Sequence, residues 1–157
     1  MTTAQLQTLK THINNNLNIV TGGATIGTHI SNTNYQAIAD YYNSNALIEI
    51  WKSDIPASDI TKSIVSSAFT ALTAVKQNAL MLYVNGVTID ATSQNVRDGF
   101  NNIFGAGATL TNLTNIAKRT ATIFESLFIG AIQGAAYVSS TYNIIVISVD
   151  IQDALRS

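Results

Sequence analysis

Apolar residues recur at helical spacing along most of this chain, but no stripe runs far before Gly, Asn or Pro interrupts it. Short amphipathic stripes separated by breakers restrict the fold to short helices joined by turns. Leu6, Leu9, Ile13 and Leu17 share one face of TAQLQTLKTHINNNL, with Thr2 or Thr3 placed as the N-cap. The Gly- and Thr-rich stretch from Val20 to Thr33 reads as a long loop with a short extended piece. In NYQAIADYYNSN, Asn34 is the expected cap and Tyr35, Ile38, Ala39 and Tyr42 form the stripe. Leu47 to Trp51 alternates as a strand would.

Pro56, preceded by Ser53 or Asp54, opens a helix expected to run through ASDITKSIVSSAFTAL, with Ile60, Ile64, Ala68 and Leu72 facing inward. Thr73 caps the next helix, which is expected to pack through Val75, Ala79, Leu80, Leu82 and Tyr83 and to stop at Asn85-Gly86. In TIDATSQNVRDGFNNIFG, Asp90 or Thr92 is the expected N-cap, Val96, Phe100, Ile103 and Phe104 make the apolar stripe, and Gly105 closes the helix. Two further stripes follow, Leu110, Leu113, Ile116 and Ala117, then Ile123, Phe124, Leu127 and Phe128. AAYV, a Ser-Ser-Thr turn and the β-branched YNIIVIS then predict a β-hairpin, after which Asp150 caps a last turn that suits Arg156 at its C-terminal end. The expected fold is mainly α, a compact bundle of short helices with a C-terminal β-hairpin. One domain spans 1–157, with a helical body to about residue 132 and the hairpin and last turn over about 133–157.

The surface available to such a fold is unusual. Charged residues make up 11% of the chain, against roughly 25% in ordinary globular proteins, and Asn, Thr and Ser stand in their place. With a net charge of -1, the protein has little electrostatic protection against association. Eight Lys and Arg, adjacent to each other only at Lys118-Arg119, supply no basic stripe for nucleic acid. Cysteine is absent, which removes disulfides, thiolate metal sites and a thiol nucleophile together. The opening MTTAQLQTLK has neither a basic start nor an apolar core, so no secretory leader is expected there. Thr120 to Val138 carries Glu125 as its one charge and spaces Gly130 and Gly134 as GxxxG, but Glu125 and Gln133 argue against a membrane span.

Chemistry finds little foothold. His12 and His29 lie far apart in sequence and neither has the HxxxH or HxxE spacing of a metal site. TGGATIG lacks the Lys-Ser/Thr of a phosphate loop, and GAGA follows no strand of a βαβ unit. Ser93 is outside any GxSxG and reads as a first-turn serine. Asp54 with Asp59, and Asp150 with Asp153, flank helix starts, where acids complement the helix dipole. No catalytic, cofactor or metal residue is therefore assigned.

The blocks Ile38 to Pro56, Ala71 to Gly105 and Ala117 to Phe128 resemble a family of small tailed-bacteriophage virion proteins encoded next to the major capsid protein, the connector- or adaptor-like neck proteins. IADYYN, the tryptophan before SDIP, TIDAT with NVRDGF, and KRTATxxExLF carry the resemblance, which covers about half of the chain in the family's order. It implies a virion structural protein, a head-tail connector subunit in a ring, commonly twelvefold, between portal protein and the next neck or tail protein. A capsid decoration or other neck or tail-completion protein is the alternative, with a small enzyme or a membrane-associated protein behind it. The resemblance implies no catalytic residue and no cofactor. Expected partners are copies of the chain, portal and the next neck or tail component, without membrane. Contact with packaged DNA, where it occurs, is expected to be non-specific, through Lys10, Lys52, Lys62 or Lys76. The expected place is the virion neck, with the host cytoplasm during assembly. Candidate assembly contacts are Thr25 and His29 in the Gly/Thr stretch, Arg97 and Asp98 as an ion pair within or between subunits, and Tyr142, Ile144 and Val146 on the hairpin edge.

Overall fold

The computed structural model describes residues 1–132, 135–138 and 142–157. In chain order the elements are α1 (Thr3–Asn15), β1 (Val20–Thr21), β2 (Ala24–Thr25), α2 (Ile26–Ser31), α3 (Tyr35–Asn43), β3 (Asn45–Trp51), β4 (Ile55–Pro56), α4 (Ala57–Ser63), α5 (Ser66–Thr70), α6 (Ala74–Val84), β5 (Thr88–Ile89), α7 (Gln94–Phe104), α8 (Ala108–Ala117), β6 (Lys118–Thr122), α9 (Ile123–Ser126), β7 (Gly130–Ile132), β8 (Ala135–Tyr137) and α10 (Ser148–Arg156). The fold is mainly α, built of short helices and short strands. These elements group into two compact units interleaved along the sequence, Met1–Ile48 with Thr120–Ile129 and Thr141–Ser157, and Glu49–Arg119 with Gly130–Ser140. The grouping cuts across a division at about residue 132, because α10 packs on α1 and α3 at the other end of the chain.

In the first unit Thr2 caps α1 through a capping box with Gln5, satisfying two otherwise orphaned backbone donors. Leu9 and Ile13 are buried as the stripe requires, joined by Ile26, Ile38, Ala39, Tyr42, Phe124, Val146, Ile151 and Ala154. Leu17 lies past the end of α1 and is 40% exposed. The Val20 to Thr33 stretch is more ordered than its composition suggests. Gly22 and Gly23 take positive φ (53° and 85°) in the turn between β1 and β2, a region glycine enters without steric cost. Thr25 then accepts a hydrogen bond from Thr28 N–H at 3.1 Å and starts α2. That helix has 6 residues, too few to show a sequence period.

The expected C-terminal hairpin is a different structure. Its proposed Ser-Ser-Thr turn, Ser139 to Thr141, lies outside the described residues, and Tyr142 to Ile147 form no strand. Instead the Asn43 side chain takes the place of a partner strand for one residue: its Nδ2 donates to Val146 O (2.7 Å) and its Oδ1 accepts from Val146 N–H (2.8 Å). Val146 is buried while Ile145 and Ile147 are 79% and 53% exposed, so the run alternates as a strand without a ladder. A short antiparallel hairpin does exist earlier, where Gly130 to Ile132 pairs with Ala135 to Tyr137. Asp150 acts three residues inside α10, accepting from Ile147 N–H at 3.0 Å, and does not cap it.

The second unit buries Ile55, Ile60, Leu80, Ile89, Ala91, Phe100, Ile103, Leu113 and Ala117. Strands β4 and β5 pair antiparallel, Ile55 opposite Ile89, and Trp51 at the end of β3 lies opposite Tyr137 of β8 in parallel. The single helix expected after Pro56 is broken into α4 and α5, since Val65 N–H is taken by the Thr109 hydroxyl at 3.1 Å and Ile64 is extended. Neither Ser53 nor Asp54 caps it; the N-cap residue is Pro56. Lys118 to Thr122 are a strand where a helix was expected, leaving α9 with 4 residues. α6 ends as expected, but its packing differs: Leu80 is buried, whereas Val75 and Leu82 are 79% and 81% exposed.

Gly99, inside α7, is explained by packing. A Cβ there would collide with the Tyr83 hydroxyl and lie 2.6 Å from Tyr83 Cζ, and the Tyr83 ring rests on Phe100 at 5.0 Å between centroids. Gly99→Ala, favourable for an isolated helix, is expected to destabilise by about 1–3 kcal/mol through overpacking. Phe100→Ala should cost about 3–5 kcal/mol and the exposed Asn101→Ala under about 0.5 kcal/mol, measured by urea denaturation.

Candidate functional site

The polar crowding between Thr88 and Gly105 resolves into local structure around Trp51. Asp90 Oδ1 accepts from the Thr92 N–H (2.8 Å) and the Thr92 hydroxyl (2.6 Å), closing a side-chain turn. Ser93 is the N-cap residue of α7, but its side chain makes no capping bond. Arg97 folds back from the first turn of α7 and donates to the carbonyls of Ala91 and Thr92 and to Gln94 Oε1. Its guanidinium carbon stands 4.9 Å from the centre of the Trp51 ring. Lys118 Nζ is 5.0 Å from the same ring and 3.6 Å from Glu49 Oε2. One tryptophan thus has two cations against its ring.

Asp98 does not pair with Arg97. Neighbours on a helix point about 100° apart, and the Gln94 amide sits between the two, its Oε1 on Arg97 and its Nε2 donating to Asp98 at 2.8 Å. The expected intrachain ion pair is replaced by an amide bridge. Beneath Trp51 is a cavity of about 50 Å³ walled by Ile55, Ile60, Phe100, Leu113 and Ala117, with Arg97 at its edge. Its lining offers apolar contact and no acid-base pair.

The histidines are structural in their surroundings. His12 Nδ1 is 2.8 Å from the hydroxyl of the fully buried Tyr42, and burial lowers the His12 pKa below 6.5. Burial, then the neighbouring Tyr41, raise the Tyr42 phenol well above its usual value. His29 is 4% exposed, with Nε2 2.7 Å from Thr21 O. Among the described residues no group of three His, Asp or Glu is placed to hold a metal ion. Asp59 pairs with Lys62 at 3.3 Å and Asp150 with the N-terminus at 3.7 Å, consistent with first-turn roles. Glu125 is buried at 1% exposure, where its Oε2 accepts from Thr122 N–H at 2.8 Å in a capping box. No helix among the described residues is long and apolar enough to cross a membrane.

Of the candidate contacts, Val146 belongs to the first unit's core and His29 is buried. Thr25 is used as the cap of α2. Tyr142 stacks on Phe128 with centroids 4.2 Å apart and planes 8° from parallel, and Ile144 packs half-buried against the same core. Asp98 is exposed. The sequence reading missed the outward-facing aliphatic side chains: Leu47 is 106% exposed, Val87 88%, and Leu82 81%. For Leu82 the signal available is the apolar sequence of α6 itself, whose large side chains surround the helix. No protein-family model, no curated protein and no solved structure matches the chain.

A double-mutant cycle of Arg97→Ala and Asp98→Ala should return a coupling of about 0.5–1 kcal/mol carried by the shared Gln94 amide, and in a Gln94→Ala background that coupling should vanish. Arg97→Ala alone should cost about 1–3 kcal/mol by leaving two carbonyls without their charged donor. For His12 the unfolded chain binds the proton first, so its contribution is present above pH 6.5 and lost as pH falls below it. His12→Gln should flatten that part of the stability profile and leave the part above it unchanged.

Proposed function

We propose that this chain is a virion structural protein of a tailed bacteriophage, a head-tail connector subunit that forms a ring of its own copies between portal and tail. The observation that carries the assembly reading is the exposure of large aliphatic side chains on a surface with few charges. Val75 and Leu82 stand two helical turns apart on one face of α6 and face solvent, with Val87 just beyond. A helix that is apolar on opposite sides is stable in water only at a cost that a neighbour removes. The phage identity rests on the sequence blocks from Ile38 to Pro56, Ala71 to Gly105 and Ala117 to Phe128. Most of the surrounding polar groups are consumed in caps and turns, which suits a scaffold more than a catalyst. Portal and the next neck or tail protein are the proposed neighbours, and the virion neck the proposed location.

Native mass spectrometry of the purified chain, with and without portal, tests this reading. A closed ring or a portal complex is the expected result, and the paired substitutions Val75→Asp and Leu82→Asp should reduce it to a folded monomer with an unchanged circular dichroism spectrum. A wild-type chain that stays monomeric and ignores portal would contradict the proposal. Binding to assembled capsid lattice in place of portal would favour a decoration protein.

A further inference from the structure

Asn85 and Gly86 end α6, and the same two residues set a side-chain amide beside an unhindered backbone nitrogen. We propose that Asn85 is a spontaneous deamidation site at which the folded chain converts a neutral side chain into a carboxylate. Gly86 N loses its proton to solvent base and bonds to Asn85 Cγ, while the Cγ–Nδ2 bond breaks and the nitrogen leaves as ammonia. Water then opens the five-membered imide at either carbonyl, giving an aspartyl or isoaspartyl linkage. Nothing is oxidised or reduced, and the one co-reactant is water.

Three features favour this position. Asn85 and Gly86 are both exposed, and a Cβ at Gly86 would meet only Thr88 O, at 3.5 Å, so the attacking nitrogen is open to approach. Asn85 N–H is bonded to Met81 O at 3.0 Å, but among the described residues neither the Gly86 N–H nor the Asn85 carboxamide has a hydrogen bond. Asn85 sits at φ -72° and ψ -16°, so ring closure requires the peptide between 85 and 86 to swing, and α6 has ended at that point.

The chain carries its own comparisons. Asn43-Ser44 is the next most open pair by sequence, yet both ends of the Asn43 amide are held by Val146 and Ser44 N–H is bonded to Tyr41 O. Asp98-Gly99, with no amide to lose, can reach the same imide only by expelling water, and it lies inside α7 with Gly99 against Tyr83. Between Ala74 and Ile89 the one charged side chain is Lys76, which donates to Ile103 O at 3.0 Å. Deamidation therefore introduces a negative charge between the exposed Leu82 and Val87, at the helix end where the backbone dipole disfavours it.

The test is peptide mapping by mass spectrometry of the full chain, incubated folded in mildly alkaline buffer and, in parallel, in urea. The mass gain of an amide-to-acid conversion is expected first in the peptide that carries Asn85 in both samples, while Asn43 converts only in urea. Gly86→Ala should slow the gain several-fold and Asn85→Gln should abolish it, with the folded chain melting at a lower temperature as conversion proceeds. The proposal is overturned if the folded chain keeps its Asn85 amide while the urea sample loses it, or if another asparagine converts first in the folded chain.

Discussion

The guanidinium of Arg97 is the group on which the second unit's arrangement turns. It lies on the Trp51 ring at the end of β3, closes the turn after β5 through Ala91 and Thr92, and takes the Gln94 amide at the start of α7. Hydrogen bonds from a charged donor are worth about 1.5–3 kcal/mol each, and a cation over an aromatic face about 0.5–2 kcal/mol more. Three chain segments are thereby fixed by one side chain. Once they are fixed, Phe100 and Ile103 of α7 point into the core and Gly99 comes against Tyr83. Asp98, the acid next to it in sequence, is engaged by Gln94 instead.

Much of this was legible in the sequence where local chemistry decides the outcome. Thr2, Asn34 and Thr73 cap the helices they were expected to cap, because a side-chain oxygen facing open backbone donors needs nothing from the rest of the fold. The stripes Leu9 with Ile13, and Ile38, Ala39 with Tyr42, are buried for the same local reason. Misreadings occur where a distant residue intervenes. Thr109 breaks the helix after Ser63, Asn43 holds Val146 in place of a hairpin partner, and Lys118 to Thr122 become a strand. Arg97 and Asp98 are opposite charges side by side in sequence, and helical geometry sends them apart onto the two ends of the Gln94 amide. In α6 apolar residues surround the helix, so periodicity does not say which side the core takes, and it takes Leu80 and leaves Val75 and Leu82 outside.

The Arg97 cluster holds three segments of the second unit together, and the exposed aliphatic side chains lie elsewhere on the surface. His29 and Val146 are lost to the interior, Tyr142 and Ile144 are engaged with the first unit's core, and the outward aliphatic residues were not among the expected contacts. Apolar side chains at full exposure fit a subunit whose neighbours complete its burial, and the few charges fit contact between identical copies, where repeated like charges would repel. In the proposed reading, that assembly is a ring in the neck of a tailed-phage particle.

Placement within a purified virion tests the account most directly. A cryo-EM reconstruction without imposed icosahedral symmetry should show this chain as a ring of copies beneath the portal, with the Val75 and Leu82 face of α6 covered by a neighbour. A particle that lacks the chain, or one in which it lies with that face open to solvent, would contradict the account.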